Sequence, residues 1–233
     1  MKHSVVMLIF LVLFLMNAIC LAQDRYQWQY SSTENNCQIY TSKVPGKDYI
    51  AAKATCVIPA RIETIGVILR DISNYPKWME DCAETKILKT VDDENDVFIF
   101  WFRQHIPFKT DRDMILKTRV HFNLKNGRDT IFVDSTDEMN YDSGKGYIRM
   151  PSFSATWILE WIDREHTRVT FMIDPDLGKG LPKFFANQLI KTNPYKSLKR
   201  MMKMLKDNKY IQEAKTSKYN KLVEEAIRSG NLR

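Results

Sequence analysis

The sequence predicts an α+β domain in which a curved antiparallel sheet wraps one long C-terminal helix. Six short segments rich in β-branched and aromatic residues follow one another between residues 97 and 173, separated by turn residues. An amphipathic segment then runs from Pro182 to Leu205, with apolar residues along one face and lysines along the other. A run of strands followed by one long helix is typical of the α+β class.

The N-terminal part contributes a hairpin and a helix before the run of strands. Strands at residues 37–40 and 49–58 flank the Pro-Gly turn at residues 44–47. Pro59 begins a helix whose apolar residues recur at helical spacing. The residues on this face are Ile62, Ile65, Ile68, Leu69 and Ile72. Residues 78–88 are predicted to form a second, short piece that is helical or mixed.

The later strands differ in how they are covered. They are predicted at residues 97–103, 114–122, 130–134, 147–150, 156–162 and 168–173. Residues 114–122 alternate between an apolar face and a basic face, which is the two-residue period of a half-buried strand. Residues 97–102 are apolar on both faces, so we expect both faces of that strand to be covered. Pro194 is expected to bend the final helix.

Residues 1–22 have the layout of a cleaved secretory signal. A basic residue precedes an apolar stretch, and small side chains stand near the end at Ala22. The run that starts at Val5 also reaches the lower end of a membrane-spanning length, so an uncleaved anchor is the alternative. Because Asn17 breaks the run and no basic flank follows it, we expect cleavage before Gln23.

Export determines the expected boundaries and the compartment. After the signal peptide at residues 1–22, the chain is expected to fold as one domain over residues 23–206. A charged tail that we expect to be helical follows over residues 207–233. We expect the protein in the periplasm if the source is a Gram-negative bacterium, and secreted otherwise.

Basic residues are concentrated towards the C-terminus. The whole chain carries a net charge of +7, and residues 179–221 hold twelve Lys or Arg against two acidic residues, a net charge of +10. Two interpretations stay open: a solvated helix face, or a surface that approaches anionic lipid headgroups, where each basic residue contributes about 1 kcal/mol. The predicted membrane-docking residues are Lys196, Lys199, Arg200 and Lys203. Nucleic acid is not an expected partner, because an exported protein rarely meets it.

Several segments, taken in order, resemble one known family. They are residues 53–59, 68–72, 75–78 with Cys82, Pro107 with residues 111–114, and residues 146–149, 157–160, 180–184 and 192–195. Their order and spacing resemble the START family of lipid-transfer domains. The resemblance implies a helix-grip fold, in which an antiparallel sheet curls around an internal hydrophobic cavity and the C-terminal helix lies across the opening. It also implies binding of sterols, phospholipids, sphingolipids or other apolar molecules.

The same resemblance implies that the strand containing Arg112 and the C-terminal helix line the cavity. The ligand-contact candidates are Met114, Leu116, Thr118, Arg149, Phe184, Phe185 and Leu189. The alternative is that the apolar candidates are ordinary core residues that do not contact a ligand. Two interpretations of Arg149 stay open. Its guanidinium binds the polar head of a ligand, or it forms an ion pair with a carboxylate in the cavity wall. Arg112 and Asp113 are expected to form a structural ion pair.

The predicted function is non-catalytic binding of a lipid or other hydrophobic ligand by a monomer, with transfer at a membrane surface. In this reading the C-terminal helix is a lid, Phe184 and Phe185 plug the cavity, and residues 123–128 form a mobile lip. His105 and His121, like His166, are isolated, and no nucleophile is placed beside them. We therefore predict that the protein is not an enzyme.

Neither a cofactor nor a metal is expected. Residues 174–178 hint at a calcium loop, but Phe185 stands where the required glutamate would be. Two alternatives to a lipid carrier stay open. One is a polyketide cyclase or aromatase on the same fold, and the other is a ligand-sensing module for a protein partner.

Three cysteines remain after the signal, in a compartment that permits disulfides. Cys37 and Cys56 are equidistant from the turn at residues 46–47, so a regular hairpin places them opposite each other. We predict that they pair or lie within bonding distance, and that Cys82 is a buried thiol.

Overall fold

The computed structural model describes residues 25–144 and 146–233, so the predicted signal peptide at residues 1–22 lies outside the described residues. The strands are β1 (Gln29–Glu34), β2 (Cys37–Lys43), β3 (Ile50–Ile58), β4 (Cys82–Asp92), β5 (Val97–Gln104), β6 (Arg112–Asn123), β7 (Arg128–Ser135), β8 (Ile148–Arg149), β9 (Ser152–Trp161) and β10 (Thr167–Asp176). The helices are α1 (Ile62–Arg70), α2 (Tyr75–Trp78), α3 (Lys183–Met204), α4 (Asn208–Thr216) and α5 (Lys218–Arg228).

Within the described ranges, the ten strands form one curved sheet in the order β1-β2-β3-β10-β9-β7-β6-β5-β4, and β8 pairs with β6. Strand β8 runs parallel to β6, whereas the other paired strands are antiparallel. Helix α3 packs across β3 and β10, and α1 and α2 connect β3 to β4. The predicted arrangement, a curved antiparallel sheet around a long C-terminal helix, is confirmed.

Strand β5 is covered on both faces. Phe100 is buried on the inner face opposite Leu116 of β6. On the outer face Trp101 is buried as well, and its ring lies 5.6 Å from the ring of Tyr141 and 6.1 Å from that of Tyr147. The loop between β7 and β8 therefore covers the outer face, and the prediction of two covered faces is confirmed.

Residues 78–88 differ from the prediction of a helical or mixed piece, because most of them belong to the edge strand β4. Its register against β5 shifts between Cys82 and Glu84, between Ile87 and Lys89, and again near its end. Each bulge moves the following side chains to the other face, so the two-residue alternation that marks a strand is lost. Strand β1, for which no strand was predicted, also carries an irregularity in its pairing with β2.

Helix α3 continues through Pro194, which lies inside it without dividing it. Its buried residues face the sheet and its basic residues face solvent. The buried set includes Ala186, Ile190, Asn193, Tyr195, Ser197, Leu198 and Met201. Among the described residues, no helix is long and apolar enough to cross a bilayer.

Residues 207–233 fold back onto α1 as helices α4 and α5. The side chain of Asp207 accepts a hydrogen bond from the Lys209 amide and begins α4, and Ser217 does the same for α5 through the Asn220 amide. The apolar residues of this segment are part of the common core. They are Tyr210, Ala214, Tyr219, Val223, Ala226 and Leu232. The packed unit thus continues beyond residue 206.

Candidate ligand cavities

Two cavities lie between the sheet and the helices, and each has a free volume of about 40 Å³. The α3 cavity is enclosed by the sheet, α2 and α3. The α5 cavity is enclosed by the sheet, α1 and α5. A volume of this size holds on the order of three water molecules. The resemblance implied one internal cavity, whereas the described residues form two small ones between the sheet and the helices.

Tyr75 lies between the two cavities and lines both of them. Its hydroxyl donates to the Leu69 carbonyl at 2.5 Å, and its ring makes edge contacts with the rings of Trp78 and Phe100. A buried ring held in this way is fixed in orientation. It forms a partition, so the two cavities are separate in this conformation.

The α3 cavity is apolar along the sheet and polar at the end near α2. Its apolar walls are Met79, Phe100, Phe102, Leu116, Val133, Phe153, Ala155, Trp157, Phe171, Ile173, Leu189 and Ile190. Its polar side chains, within the described residues, are Glu80, Gln104 and Asn193, and the ring of Tyr75 lines it at the partition. Such a lining suits an apolar ligand with one polar group.

Glu80 ties α3 to the turn between α2 and β4, and we call this cluster the Glu80 latch. Its amide donates to Ser197 Oγ at 3.0 Å, and its carbonyl accepts from Asn193 Nδ2 at 3.0 Å. Its buried carboxylate pairs with Lys196 at 3.2 Å and with Arg200 at 2.7 Å. Two of the four predicted membrane-docking residues therefore already hold an acidic partner in the protein.

The predicted ligand-contact residues are divided between different places. Leu116 and Leu189 line the α3 cavity. Thr118 lines the α5 cavity, but its hydroxyl donates to the Asp96 carbonyl at 2.6 Å and accepts from the Phe98 amide at 2.8 Å. Thr118 therefore offers its methyl group to that cavity.

Met114 and Phe185 are not among the residues that line either cavity, although both belong to the core or pack against it. Phe184 is 84% exposed, which corrects the expectation that it plugs the cavity. The reason is helical geometry: the inward stripe of α3 passes through Leu189 and Ile190, and residue 184 lies outside it.

Arg149 lies on the outer side of the sheet and forms a two-point ion pair with Asp113. Its Nε and Nη2 atoms donate to the carboxylate at 3.0 and 2.9 Å. The hydrogen bonds to Asp113 raise the pKa of Arg149, and the pKa of Asp113 is lowered although burial alone would raise it. Of the two interpretations of Arg149, this geometry matches the ion pair with a carboxylate of the protein.

The expected ion pair between Arg112 and Asp113 is wrong. Consecutive residues of a strand point to opposite faces, so Arg112 points inward while Asp113 meets Arg149. The buried guanidinium of Arg112 donates to three backbone carbonyls, those of Thr110, Leu177 and Lys179, the last two at 2.9 Å. Arg112 thereby joins the β5–β6 loop to the segment that precedes α3.

The loop at residues 123–128, predicted as a mobile lip, is covered by the C-terminus. A Cβ on Gly127 would lie 3.3 Å from a methyl group of Leu232. The Gly127 carbonyl also accepts from the Trp161 amide at 2.7 Å. The lip is thus a packed contact between the sheet and the last residues of the chain.

Sequence reasoning missed Tyr75, Glu80, Asp129 and Tyr219, which define the two cavities. A buried acid such as Asp129 has the same local pattern as an exposed one. Asp129 is 6% exposed, and burial raises its pKa to about 6. No local signal could have found it, because the helix that covers its cavity is remote in sequence.

Cys37 and Cys56 are joined by a disulfide, with sulfurs 2.04 Å apart, at directly opposed positions of β2 and β3. This is the pairing that the hairpin symmetry predicts. Cys82 is a buried free thiol, and burial raises its pKa above the usual range.

The family model for the START domain matches residues 20–211. The chain belongs to the START domain family. START domains bind lipids or other hydrophobic ligands, and the two apolar cavities lie inside this START fold. The match ends inside α4, at residue 211, and α5 lies beyond it.

Solved structures share the fold of this START domain. A STAR-related lipid transfer protein from Xanthomonas axonopodis superposes with a TM-score of 0.68 at 22% identity, over 77% of this chain and 99% of that one. Human STARD10 superposes with a TM-score of 0.69 at 18% identity, over 80% of this chain and 76% of that one. An uncharacterised protein of Pseudomonas aeruginosa is 27% identical over 77% of this chain and 85% of its own length. These likenesses support the fold.

Proposed function

We propose that this START domain carries a lipid or other hydrophobic ligand between membranes, without covalent chemistry, and that α3 is the lid of the binding cavity. The Glu80 latch is the observation that carries the proposal. It joins the wall of the α3 cavity to the cationic outer face of α3, so one set of residues contacts both the ligand space and the solvent.

The small volume of the α3 cavity supports a moving lid. A free volume of about 40 Å³ is far below the several hundred Å³ of a typical small-molecule pocket. Uptake of a whole lipid therefore requires α3 to move away from the sheet. Leu189 and Ile190 of α3 line the cavity, so this movement enlarges it directly.

The Glu80 latch offers a way to couple opening to a membrane. Lys196 and Arg200 each keep 48% of the side chain exposed, so a lipid phosphate can reach them from outside. A phosphate that takes these cations leaves Glu80 buried without a counter-charge, which is strongly unfavourable. The turn and α3 then separate. Lys199 and Lys203 are exposed on the same helix and supply further attraction to anionic headgroups.

Two exposed phenylalanines support membrane contact near the start of α3. Phe108 is fully exposed in the β5–β6 loop, and Phe184 is exposed in the first turn of α3. Arg112 joins the two segments that carry them. Exposed aromatic rings beside basic residues are suited to the interface between headgroups and acyl chains.

The lining of the α3 cavity supports a binding role over the cyclase alternative. Among the described residues no histidine lines either cavity. Glu80 is the acidic side chain of the α3 cavity, and a carboxylate held by two cations is a poor general base. A ligand that the protein carries should be recovered with its mass unchanged, whereas a cyclase substrate should be altered.

The experiment that tests the proposal begins with mass spectrometry of the lipid extract from purified protein. Transfer of a fluorescent form of the identified lipid is then measured between vesicles with and without phosphatidylserine. We expect faster transfer with phosphatidylserine. Glu80→Gln should reduce this dependence, because the latch no longer holds Lys196 and Arg200. An unchanged dependence in Glu80→Gln would reject the latch, and an extract without any bound apolar molecule would reject the carrier.

The proposal includes export, on the basis of the signal-like residues 1–22. The exported protein should begin at or near Gln23, which N-terminal sequencing of the exported fraction measures. Recovery of intact residues 1–22 in that fraction would favour an anchor. Transfer between vesicles by the purified protein alone would distinguish a carrier from a module that reports its ligand to a protein partner.

A further inference from the structure

The α5 cavity has a composition that the α3 cavity lacks. Its walls are apolar side chains of α1, the sheet and α5, including Leu69, Val120, Ile131 and Val223. Two buried carboxyl groups, those of Glu63 and Asp129, also line it. An apolar cavity that contains convergent polar groups is the usual form of a small-molecule site.

These two carboxyl groups retain oxygens that lack a hydrogen-bond donor. Glu63 is 2% exposed, and its Oε1 is held by Arg61 while its Oε2 has no partner among the described residues. Asp129 accepts at Oδ1 from the Asn123 amide at 3.0 Å, and no other hydrogen bond reaches it within the described part of the chain. Glu63 Oε2 is thus a fully buried acceptor without a donor, which is unfavourable unless a bound molecule satisfies it.

The third acid in the lining is already satisfied. Asp96 pairs with Arg70 and with Lys218 at 2.6 Å, and it accepts the hydroxyl of Tyr219 at 2.6 Å. Its role is to hold α5 over the cavity. Arg70 itself lines the cavity, so a cationic ligand would meet like charge there. A neutral donor suits the remaining carboxyl oxygens better than an ammonium group.

We propose that the α5 cavity is a second ligand site, separate from the α3 cavity, that binds a small neutral amphiphile whose hydroxyl group donates to Asp129. Tyr75 separates this molecule from any ligand in the α3 cavity. The apolar body of the ligand lies against Val120, Ile131 and Val223. The site does not depend on lipid transfer, and a protein that failed to transfer lipid could still contain it.

Two isomeric probes test the site. 1-Propanol has a hydroxyl donor, and ethyl methyl ether has the same atoms without a donor; both are small enough for a free volume of about 40 Å³. Each is titrated into ¹⁵N-labelled protein covering residues 23–233, and backbone amide shifts are followed by NMR. We expect propanol to shift amides of residues 120–131 and to bind about tenfold more tightly than the ether, the difference expected for one buried hydrogen bond to a charged group. Propylamine should bind no more tightly than propanol.

Variants locate the site. Asp129→Leu should bring propanol to the affinity of the ether, because it removes the acceptor. Val120→Phe fills the α5 cavity and should abolish the propanol shifts, whereas Ala155→Leu fills the α3 cavity and should leave them intact. Ile131→Phe replaces Val120→Phe if the latter does not fold. Equal affinities for the two isomers, shifts confined to the α3 cavity, or tighter binding of propylamine would overturn the proposal.

Discussion

The ring of Tyr219 lies directly against Gly66, so close that a Cβ on residue 66 would be 3.2 Å from the ring. A glycine inside a helix costs about 1 kcal/mol relative to alanine. Here the absent side chain leaves the space into which α5 packs on α1. The contact places Tyr219 within reach of Asp96 and closes the α5 cavity.

Replacement of this glycine should displace α5. Gly66→Val adds branched carbons where even a Cβ is crowded by the ring, so we expect a loss of about 1–3 kcal/mol in the free energy of unfolding. Urea denaturation measures the loss, and hydrogen exchange of residues 218–228 should become faster. In a Tyr219→Ala background the same substitution should cost less, because the ring is absent. Equal costs in both backgrounds would show that the contact is not responsible.

Asp129 should make stability depend on pH. Burial raises its pKa from 3.8 to about 6. Below about pH 3.8 the carboxyl group is protonated in both the folded and the unfolded protein. Between pH 3.8 and about pH 6 it is ionised in the unfolded protein but still mostly protonated in the folded one. Stability is therefore lost as the pH rises through this window, and the penalty persists above it. A difference of roughly two pKa units corresponds to about 3 kcal/mol.

The substitution Asp129→Asn keeps an acceptor for the Asn123 amide and removes the charge. We expect the variant to gain about 3 kcal/mol relative to the parent between about pH 4 and pH 7. Urea denaturation at both pH values measures this gain. The hydrogen bond from the Asn123 amide and the nearby side chain of His121 both lower the pKa of Asp129, and His121 is exposed, so His121→Gln serves as the control for its contribution. A constant difference between Asp129→Asn and the parent at both pH values would contradict the assignment.

The membrane-docking role is best tested on the two cations that the Glu80 latch does not use. Reversal of both charges in Lys199→Glu/Lys203→Glu should weaken binding to phosphatidylserine vesicles by about tenfold or more, at about 1 kcal/mol for each basic residue. Ligand affinity in solution should not change. Vesicle co-sedimentation and a transfer assay at low salt measure the two effects.

A matched control keeps the same net charge. Lys89→Glu/Lys125→Glu reverses two exposed lysines outside α3. This control should bind vesicles more tightly than the α3 variant. If both variants lose the same affinity, the attraction is a property of net charge and not of α3.

The disulfide should stabilise the hairpin that begins the sheet. Its cysteines are 19 residues apart in sequence, and closure of a loop of about this length is worth about 3 kcal/mol in the chain-entropy account. Cys37→Ala/Cys56→Ala should therefore lower the free energy of unfolding by about this amount, as measured by urea denaturation. A reductant should lower the stability of the parent and of Cys82→Ala alike, because both keep the disulfide, and should leave the double variant unchanged. No effect of reduction on the parent would show that the bond contributes nothing.

Much of the fold could be predicted because periodicity is local. The two-residue alternation in β6 and the helical spacing of isoleucines in α1 are visible within short windows. Strand β4 could not be recognised in this way, because its bulges against β5 shift the alternation. The bulges depend on the partner strand, and a single segment does not reveal its partner.

The candidate site was predicted less completely. The resemblance implied that the strand containing Arg112 and the final helix line a cavity, and Leu116 and Leu189 do so. Phe184 was assigned to the same cavity, but its position within the helix turns its side chain to solvent. Lys196 and Arg200 were predicted to dock on a membrane, but the sequence did not reveal their partner Glu80, which lies more than one hundred residues earlier in the chain.

By itself the sequence determined the family, the order of most strands and helices, and the opposed positions of Cys37 and Cys56. These follow from side-chain periodicity, turn residues and the symmetry of one hairpin, all of which act over short stretches of chain. The tertiary structure alone decided that Asp113 pairs with Arg149, that Tyr75 divides the interior, and that α5 closes a second cavity. Those outcomes depend on which remote groups share a buried space, since an uncompensated charge there is costly and only the packed fold determines its partner.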